Sequence, residues 1–249
     1  MMRETTVFGP IFSRRLGSSL GINLLPQDGK LCNFDCVYCE CGWNKDGRDD
    51  TRLPSVAEVA SALEEKLKQC LSDGTPVDSI TFSGDGEPTL HPDFAAIIDR
   101  TLALRDRYVP SAKVSVLSNA TRVHCASVFQ ALLKVDNAIL KIDAPSDREA
   151  ALVNRPFEGY RVRGVVEALK RFEGRFVLQT LFLRGPGWAT EDWVAAWMDL
   201  VRELRPREVM VYTIDRETPM KGLGKYSPAE MQALVQPLID EGYQIQIKG

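Results

Sequence analysis

Short apolar runs alternate along this chain with longer stretches in which apolar residues recur every three or four positions. The short runs predict strands near Leu20 to Leu24, Ser79 to Ser83, Lys113 to Ser118, Asn137 to Ile142, Arg175 to Phe182 and Glu208 to Thr213. The amphipathic stretches predict helices over Ser55 to Leu71, Pro92 to Arg107, Arg122 to Val135, Tyr160 to Phe172, Thr190 to Leu204 and Ser227 to Glu241. Ser55, entered through Pro54, has the form of an N-cap, and Ser227-Pro228-Ala229-Glu230 that of a capping box with proline in the first turn. A last alternation, Tyr243-Gln244-Ile245-Gln246-Ile247, follows. Regular strand–helix alternation predicts an α/β fold, with parallel strands joined by right-handed crossovers and helices outside the sheet. About six such units are too few for a closed eight-stranded barrel. Periodicity alone suits a doubly wound sheet as well as a partial barrel.

Composition narrows the class without naming an activity. With 249 residues, 44% of them apolar and 26% charged, the chain reads as one globular domain with a sizeable core. We divide it into an N-terminal segment (about 1–19), a core (20–216) and a C-terminal helix and strand (217–249). No apolar run has the length of a membrane span, and Met1-Met2-Arg3-Glu4-Thr5-Thr6 lacks the apolar centre of a secretory signal, so a cytoplasmic location is expected. A net charge of −3 argues against a broad nucleic-acid-binding surface.

The candidate chemistry sits in Leu31-Cys32-Asn33-Phe34-Asp35-Cys36-Val37-Tyr38-Cys39-Glu40, a C-x3-C-x2-C run just after the first predicted strand. Closed zinc or iron–sulfur sites normally take four protein ligands, so three thiolates leave one coordination position for something else. Cys41 could complete a set only through a tight C-x-C spacing, and His91 and His124 are distant in sequence. Cys70 and Cys125 read as small packed residues.

This spacing, with an aromatic residue before the third cysteine, resembles the signature of the radical S-adenosylmethionine (radical SAM) enzymes. The resemblance implies a (β/α)6 partial barrel of parallel strands with outer helices. It also implies a [4Fe-4S] cluster on Cys32, Cys36 and Cys39, with S-adenosylmethionine (SAM) on the fourth iron. Reductive cleavage of SAM would then give a 5′-deoxyadenosyl radical that abstracts hydrogen from a substrate, the chemistry residing in the cofactors. Tyr38 would lie near adenine.

In parallel α/β folds, ligands gather beyond the carboxyl ends of the strands. There the second strand runs into Ser83-Gly84-Asp85-Gly86-Glu87, similar to the family's GGE motif with Asp85 inserted between the glycines. Asn119, after the third strand, suits either a helix N-cap or a SAM contact. Lys141 and Asp143, two apart, share one face of the fourth and suit either an ion pair or a polar ligand. Gln179 is an amide in an otherwise apolar strand, and Tyr212, with Asp215 and Arg216, ends the sixth. Arg184 could cover the site, and Arg14 and Arg15 could bind an anion.

The segments Phe8 to Asn23, Thr81 to Leu90 and Val211 to Arg216 resemble a subgroup of Fe–S oxidoreductases related to the wyosine-forming tRNA enzymes. Those enzymes hold a second cluster on upstream cysteines, and no cysteine precedes Cys32 here. The substrate is therefore left open among a small molecule, a peptide and an RNA nucleoside, with a low-potential donor such as flavodoxin or ferredoxin as electron source. The compact core also resembles the glycyl-radical enzyme activases. A reading of another class is a non-catalytic Fe–S electron carrier or zinc-binding structural protein, in which Cys41 is a fourth ligand.

Overall fold

The computed structural model describes residues 5–13, 16–46, 51–185 and 188–249. Its contacts cluster into two compact units, each drawn from discontinuous stretches of chain: Met1–Cys32, Asn44–Ser118 and His124–Ala138 in one, and Asn33–Trp43, Asn119–Val123 and Ile139–Gly249 in the other.

In the first unit, β1 (Val7–Ser13) pairs antiparallel with β2 (Gly17–Ile22). Strands β3 (Ser79–Phe82) and β4 (Lys113–Ser118) continue from β2 in parallel. Helices α1 (Val56–Ser72), α2 (Phe94–Tyr108) and α3 (Ala126–Lys134) belong to the same unit. The register places Leu20, Ile80 and Val114 in one cross-strand row and Ile22, Phe82 and Val116 in another, all completely buried. This apolar face meets the helices, Phe82 packing edge-on against Phe94 of α2. The other face carries small hydroxyls instead. Ser19 Oγ lies 2.8 Å from Thr81 Oγ1, and Ser79 Oγ lies 3.0 Å from Thr81 Oγ1 and 3.2 Å from Ser115 Oγ. Buried hydroxyls bonded to one another avoid the cost of an unmet donor.

In the second unit, β5 (Asn137–Lys141, counted from Ile139), β6 (Val177–Leu181), β7 (Glu208–Tyr212) and β8 (Ile245–Lys248) run parallel. Helices α4 (Asp147–Val153), α5 (Val162–Lys170), α6 (Glu191–Leu204) and α7 (Pro228–Asp240) complete it. Leu140 pairs with Leu178, and Thr180 shares their face. Trp197 of α6 is fully buried and donates from Nε1 to Thr180 Oγ1 at 3.0 Å, so this face meets the helices. The opposite face is the row Lys141, Gln179, Met210 and Gln246.

All six predicted strands and all six predicted helices form, and the closing alternation becomes β8. Strand β1, α4 and a 3-10 turn over Pro88–Leu90 add to them. Helix α3 begins at Ala126 rather than Arg122, because Ala120 adopts a left-handed φ of 62° that turns the chain out of β4 first.

Candidate functional site

The carboxyl ends of β2 and β3 are tied together in the first unit. Asn23 Oδ1 accepts from the backbone N of Leu25 and of Asp85, each at 3.2 Å, and Asn23 Nδ2 donates to Asp85 Oδ2 at 3.2 Å. Gly84 permits this, since a Cβ there would lie 2.1 Å from Asn23 Oδ1. Gly86 is required for a second reason. Its φ is +146°, and a Cβ would lie 1.8 Å from the carbonyl oxygen of Leu31. That approach makes a short parallel bridge, with Leu31 N donating to Asp85 O at 2.9 Å and Glu87 N donating to Leu31 O at 3.0 Å. The residue before Cys32 is thus fastened to the glycine loop. Glu87 is buried and caps the 3-10 turn: its Oε1 accepts from Thr89 N at 3.0 Å, Thr89 Oγ1 at 2.5 Å and Ser118 Oγ at 2.8 Å. Ser83 donates its backbone N to Ile22 O at 3.2 Å.

The rest of the cysteine loop belongs to the second unit, where it is held by the backbone after α4. Asp35 N donates to Asn154 O at 3.0 Å, Val37 N to Val153 O at 3.0 Å and Phe157 N to Asn33 O at 3.0 Å. Phe34 packs edge-on against Tyr160, with ring centroids 5.1 Å apart. Cys39 N bonds back to Cys36 O at 3.1 Å, so the last two motif cysteines share a tight turn. Asn119 is not a helix cap: its Nδ2 donates to Asn33 Oδ1 at 2.7 Å, while its Oδ1 accepts from Thr121 N at 3.1 Å and Thr121 Oγ1 at 2.7 Å.

Behind this loop lies a buried polar network. Asp143 Oδ2 accepts from Tyr38 Oη and, at 2.6 Å, from Asn154 Nδ2, while Oδ1 accepts from Leu181 N at 2.9 Å. Lys141 Nζ donates to Tyr38 Oη at 2.9 Å and Tyr212 Oη at 2.7 Å, and lies 3.9 Å from Asp143 Oδ2. Lys141 and Asp143 therefore form the internal ion pair that was one of their two readings. Burial opposes the lysine charge, but Asp143 and Tyr212 outweigh it and hold the ammonium pKa above its ordinary value. Burial and then Asp143 raise that of Tyr38. Asn154 Nδ2 also lies 3.5 Å from Cys36 Sγ. Burial pushes the Cys36 thiol up to about 11, against the opposing pull of Lys141.

Gln179 is buried, and its Nε2 has no hydrogen-bond partner among the described residues. Arg184 is drawn away, to an ion pair with Glu230 of α7 and the face of Tyr226. Arg216 pairs with Glu40 at 2.8 Å on the surface. Arg14 and Arg15 lie outside the described residues. Asn33 and Asn154 are site residues that sequence reasoning did not single out. Asn33 stood within the motif itself, whereas Asn154 follows a helix with no local signal.

Among the described residues, no group of three His, Cys, Asp or Glu side chains is gathered as a single-ion site, and no helix is long and apolar enough to cross a membrane. The donor set nonetheless suits an iron–sulfur cluster. It offers three thiols on one loop, with an amide N–H at the sulfur of Cys36, the kind of contact that tunes cluster thiolates.

The chain is similar in fold to a radical SAM methyltransferase from Sphaerobacter thermophilus, with a TM-score of 0.72 and 14% identity over 95% of this chain and 67% of that one. It is similar also to a structure of TYW1 with a lysine–pyruvate adduct bound, with a TM-score of 0.66 and 13% identity over 92% and 76%. The fold is thus the radical SAM partial barrel, shared with a wyosine-forming enzyme. A curated relative, the GTPase Obg of Brachyspira hyodysenteriae, is 28% identical over 235 residues, and the chain spans only 33% of its length. The model of the radical SAM superfamily matches residues 28–205, a stretch that contains the cysteine loop, the glycine loop and the Lys141–Asp143 network. The chain belongs to the radical SAM superfamily.

Proposed function

We propose that this protein is a radical SAM oxidoreductase. Cys32, Cys36 and Cys39 hold a [4Fe-4S] cluster, and SAM is cleaved to generate hydrogen abstraction from a substrate. The observation that carries this reading is the C-x3-C-x2-C loop inside the matched family segment. A cluster held by Cys32, Cys36 and Cys39 would supply the one-electron reduction on which cleavage of SAM depends.

The chain's own residues bind, orient and insulate. On ligating a cluster Cys36 would lose its thiol proton to solvent, and Asn154 Nδ2, 3.5 Å from its sulfur, is placed to donate to the resulting thiolate. Gly84 and Gly86 let backbone approach where a side chain would clash, so the Ser83 to Glu87 loop can offer peptide groups to SAM. Glu87 is fixed by its three donors, which assigns it to holding the shape of that loop. Asp143 and Lys141 set the position of Tyr38, next in sequence to Cys39. Val37, fully buried, helps keep water from the loop. A low-potential donor such as flavodoxin or ferredoxin provides the electron, in a cytoplasmic setting.

Anaerobic reconstitution with iron and sulfide tests the ligand assignment. Electron paramagnetic resonance of the reduced protein should show a cluster signal that SAM perturbs. It should be lost in Cys36→Ser and kept in Cys41→Ser. Loss in both variants would favour a four-cysteine electron carrier or structural site.

A further inference from the structure

Asn154 caps the C-terminus of α4, is 3% exposed and is pinned on three sides. Its backbone N donates to Ala150 O at 2.8 Å, its carbonyl accepts from Asp35 N at 3.0 Å, and its side-chain Nδ2 donates to Asp143 Oδ2 at 2.6 Å. A carboxamide nitrogen carries two protons, so one is left after Asp143. That one is directed at Tyr38 Oη, 3.3 Å away, and Cys36 Sγ, 3.5 Å away. Tyr38 Oη already accepts from Lys141 at 2.9 Å, and a thiolate is a stronger acceptor than a neutral phenol, so ligation of Cys36 draws the proton to sulfur. Asn154 Nδ2 therefore stands between two anions, the Asp143 carboxylate and the thiolate that Cys36 becomes. Lys141 Nζ, 3.9 Å from Asp143 Oδ2, offsets part of the carboxylate charge but does not come between the two. In a buried setting such repulsion is weakly screened, and a fixed donor counts for more than it would in water.

We propose that Asn154 is a positioning residue that raises the reduction potential of the cluster, by donating to the Cys36 sulfur and holding the Asp143 carboxylate off it. Reduction adds negative charge to the iron and its sulfur ligands, so a donor fixed at a ligand sulfur favours the reduced form over the oxidised one. Asp143 has a double part in this: its charge opposes reduction, and its hydrogen bond aims the amide that answers it. The inference rests on the radical SAM reading only in taking the centre on Cys36 to be a redox cluster; the placement of the amide stands on the hydrogen bonds alone.

The test is a redox titration of the anaerobically reconstituted protein without SAM, followed by electron paramagnetic resonance, so it reads a potential and not turnover. Asn154→Leu keeps the branching of the side chain and removes both protons. It should lower the midpoint potential, the equilibrium constant for reduction falling about tenfold, the scale of one hydrogen bond to a charged group. If that variant does not fold, Asn154→Ala removes the same protons with a smaller side chain and takes its place. Val153→Ala trims the buried neighbour and keeps the amide, so it controls for loosened packing and should leave the midpoint where it is in wild type. Proton electron–nuclear double resonance of the reduced wild type should also show a solvent-exchangeable coupling that the Asn154 variant lacks. An unchanged or raised midpoint in the Asn154 variant, or an equal fall in Val153→Ala, would overturn the proposal and leave the cluster reading standing. A wild type that assembles no reducible cluster, or one that Cys36→Ser retains unaltered, would overturn both.

Discussion

At the scale of single residues, the site rests on a few positions that admit no substitute. Gly86 is one, because a methyl group would enter the Leu31 carbonyl oxygen at 1.8 Å from a backbone φ of +146°. Gly86→Ala should destabilise the protein by about 1–3 kcal/mol or more, read in urea unfolding, and should impair cluster assembly by displacing the residue before Cys32. Asp143 is another. It is 2% exposed and accepts from Tyr38, Asn154 and Leu181, with Lys141 3.9 Å away. Asp143→Ala leaves a buried ammonium without its counter-charge and should cost about 3–5 kcal/mol in the same measurement. Part of this was legible beforehand: two residues apart in one extended segment, Lys141 and Asp143 were expected to share a face. Asn154 was not, because its role depends on the chain after α4 folding back onto the cysteine loop, a contact between residues over 100 positions apart.

At the scale of elements, local signals succeeded where they were self-contained. The capping box at α1 forms as its sequence implied: Ser55 Oγ accepts from Glu58 N at 3.3 Å, and Glu58 Oε2 accepts from Ser55 N at 2.8 Å. Those hydrogen bonds, with one from Arg52, lower the Glu58 pKa from 4.5 to about 2. A lowered carboxylate pKa stabilises the fold above its unfolded value and ceases to do so as pH falls through its folded value. The stability gap between wild type and Glu58→Ala should therefore be constant above pH 4.5 and shrink as pH falls towards 2, as thermal unfolding in a pH series would show. Strand β1 escaped prediction because Gly9-Pro10 interrupts its alternation. The structure accommodates the proline at a register irregularity between Phe8 and Ile11, in a strand with a single partner. Helix α3 was begun four residues too early because apolar periodicity gives no sign of the left-handed turn at Ala120.

At the scale of the whole molecule, the strand–helix alternation gave the α/β class but not the choice between a doubly wound sheet and a partial barrel. That choice came from the cysteine motif and agrees with the 0.72 TM-score match to a radical SAM methyltransferase. The pairing of Lys141 with Gln179 could not be read from sequence, since it requires knowing which strands are neighbours and in what register. The same register explains why a polar row survives in the second unit: Leu140, Leu178 and Val209 supply the helix-facing burial, so the other face can carry Lys141, Gln179 and Gln246. Trp197 anchors that helix-facing side with no exposure, and Trp197→Ala should lower stability by about 3–5 kcal/mol without altering the cluster signal of folded protein. The central claim is SAM cleavage, and the most direct measurement is 5′-deoxyadenosine formed by the reconstituted, reduced protein under anaerobic conditions. The account predicts its appearance with wild type and its loss in Cys36→Ser; a stable, reducible cluster that yields none with SAM present would contradict it.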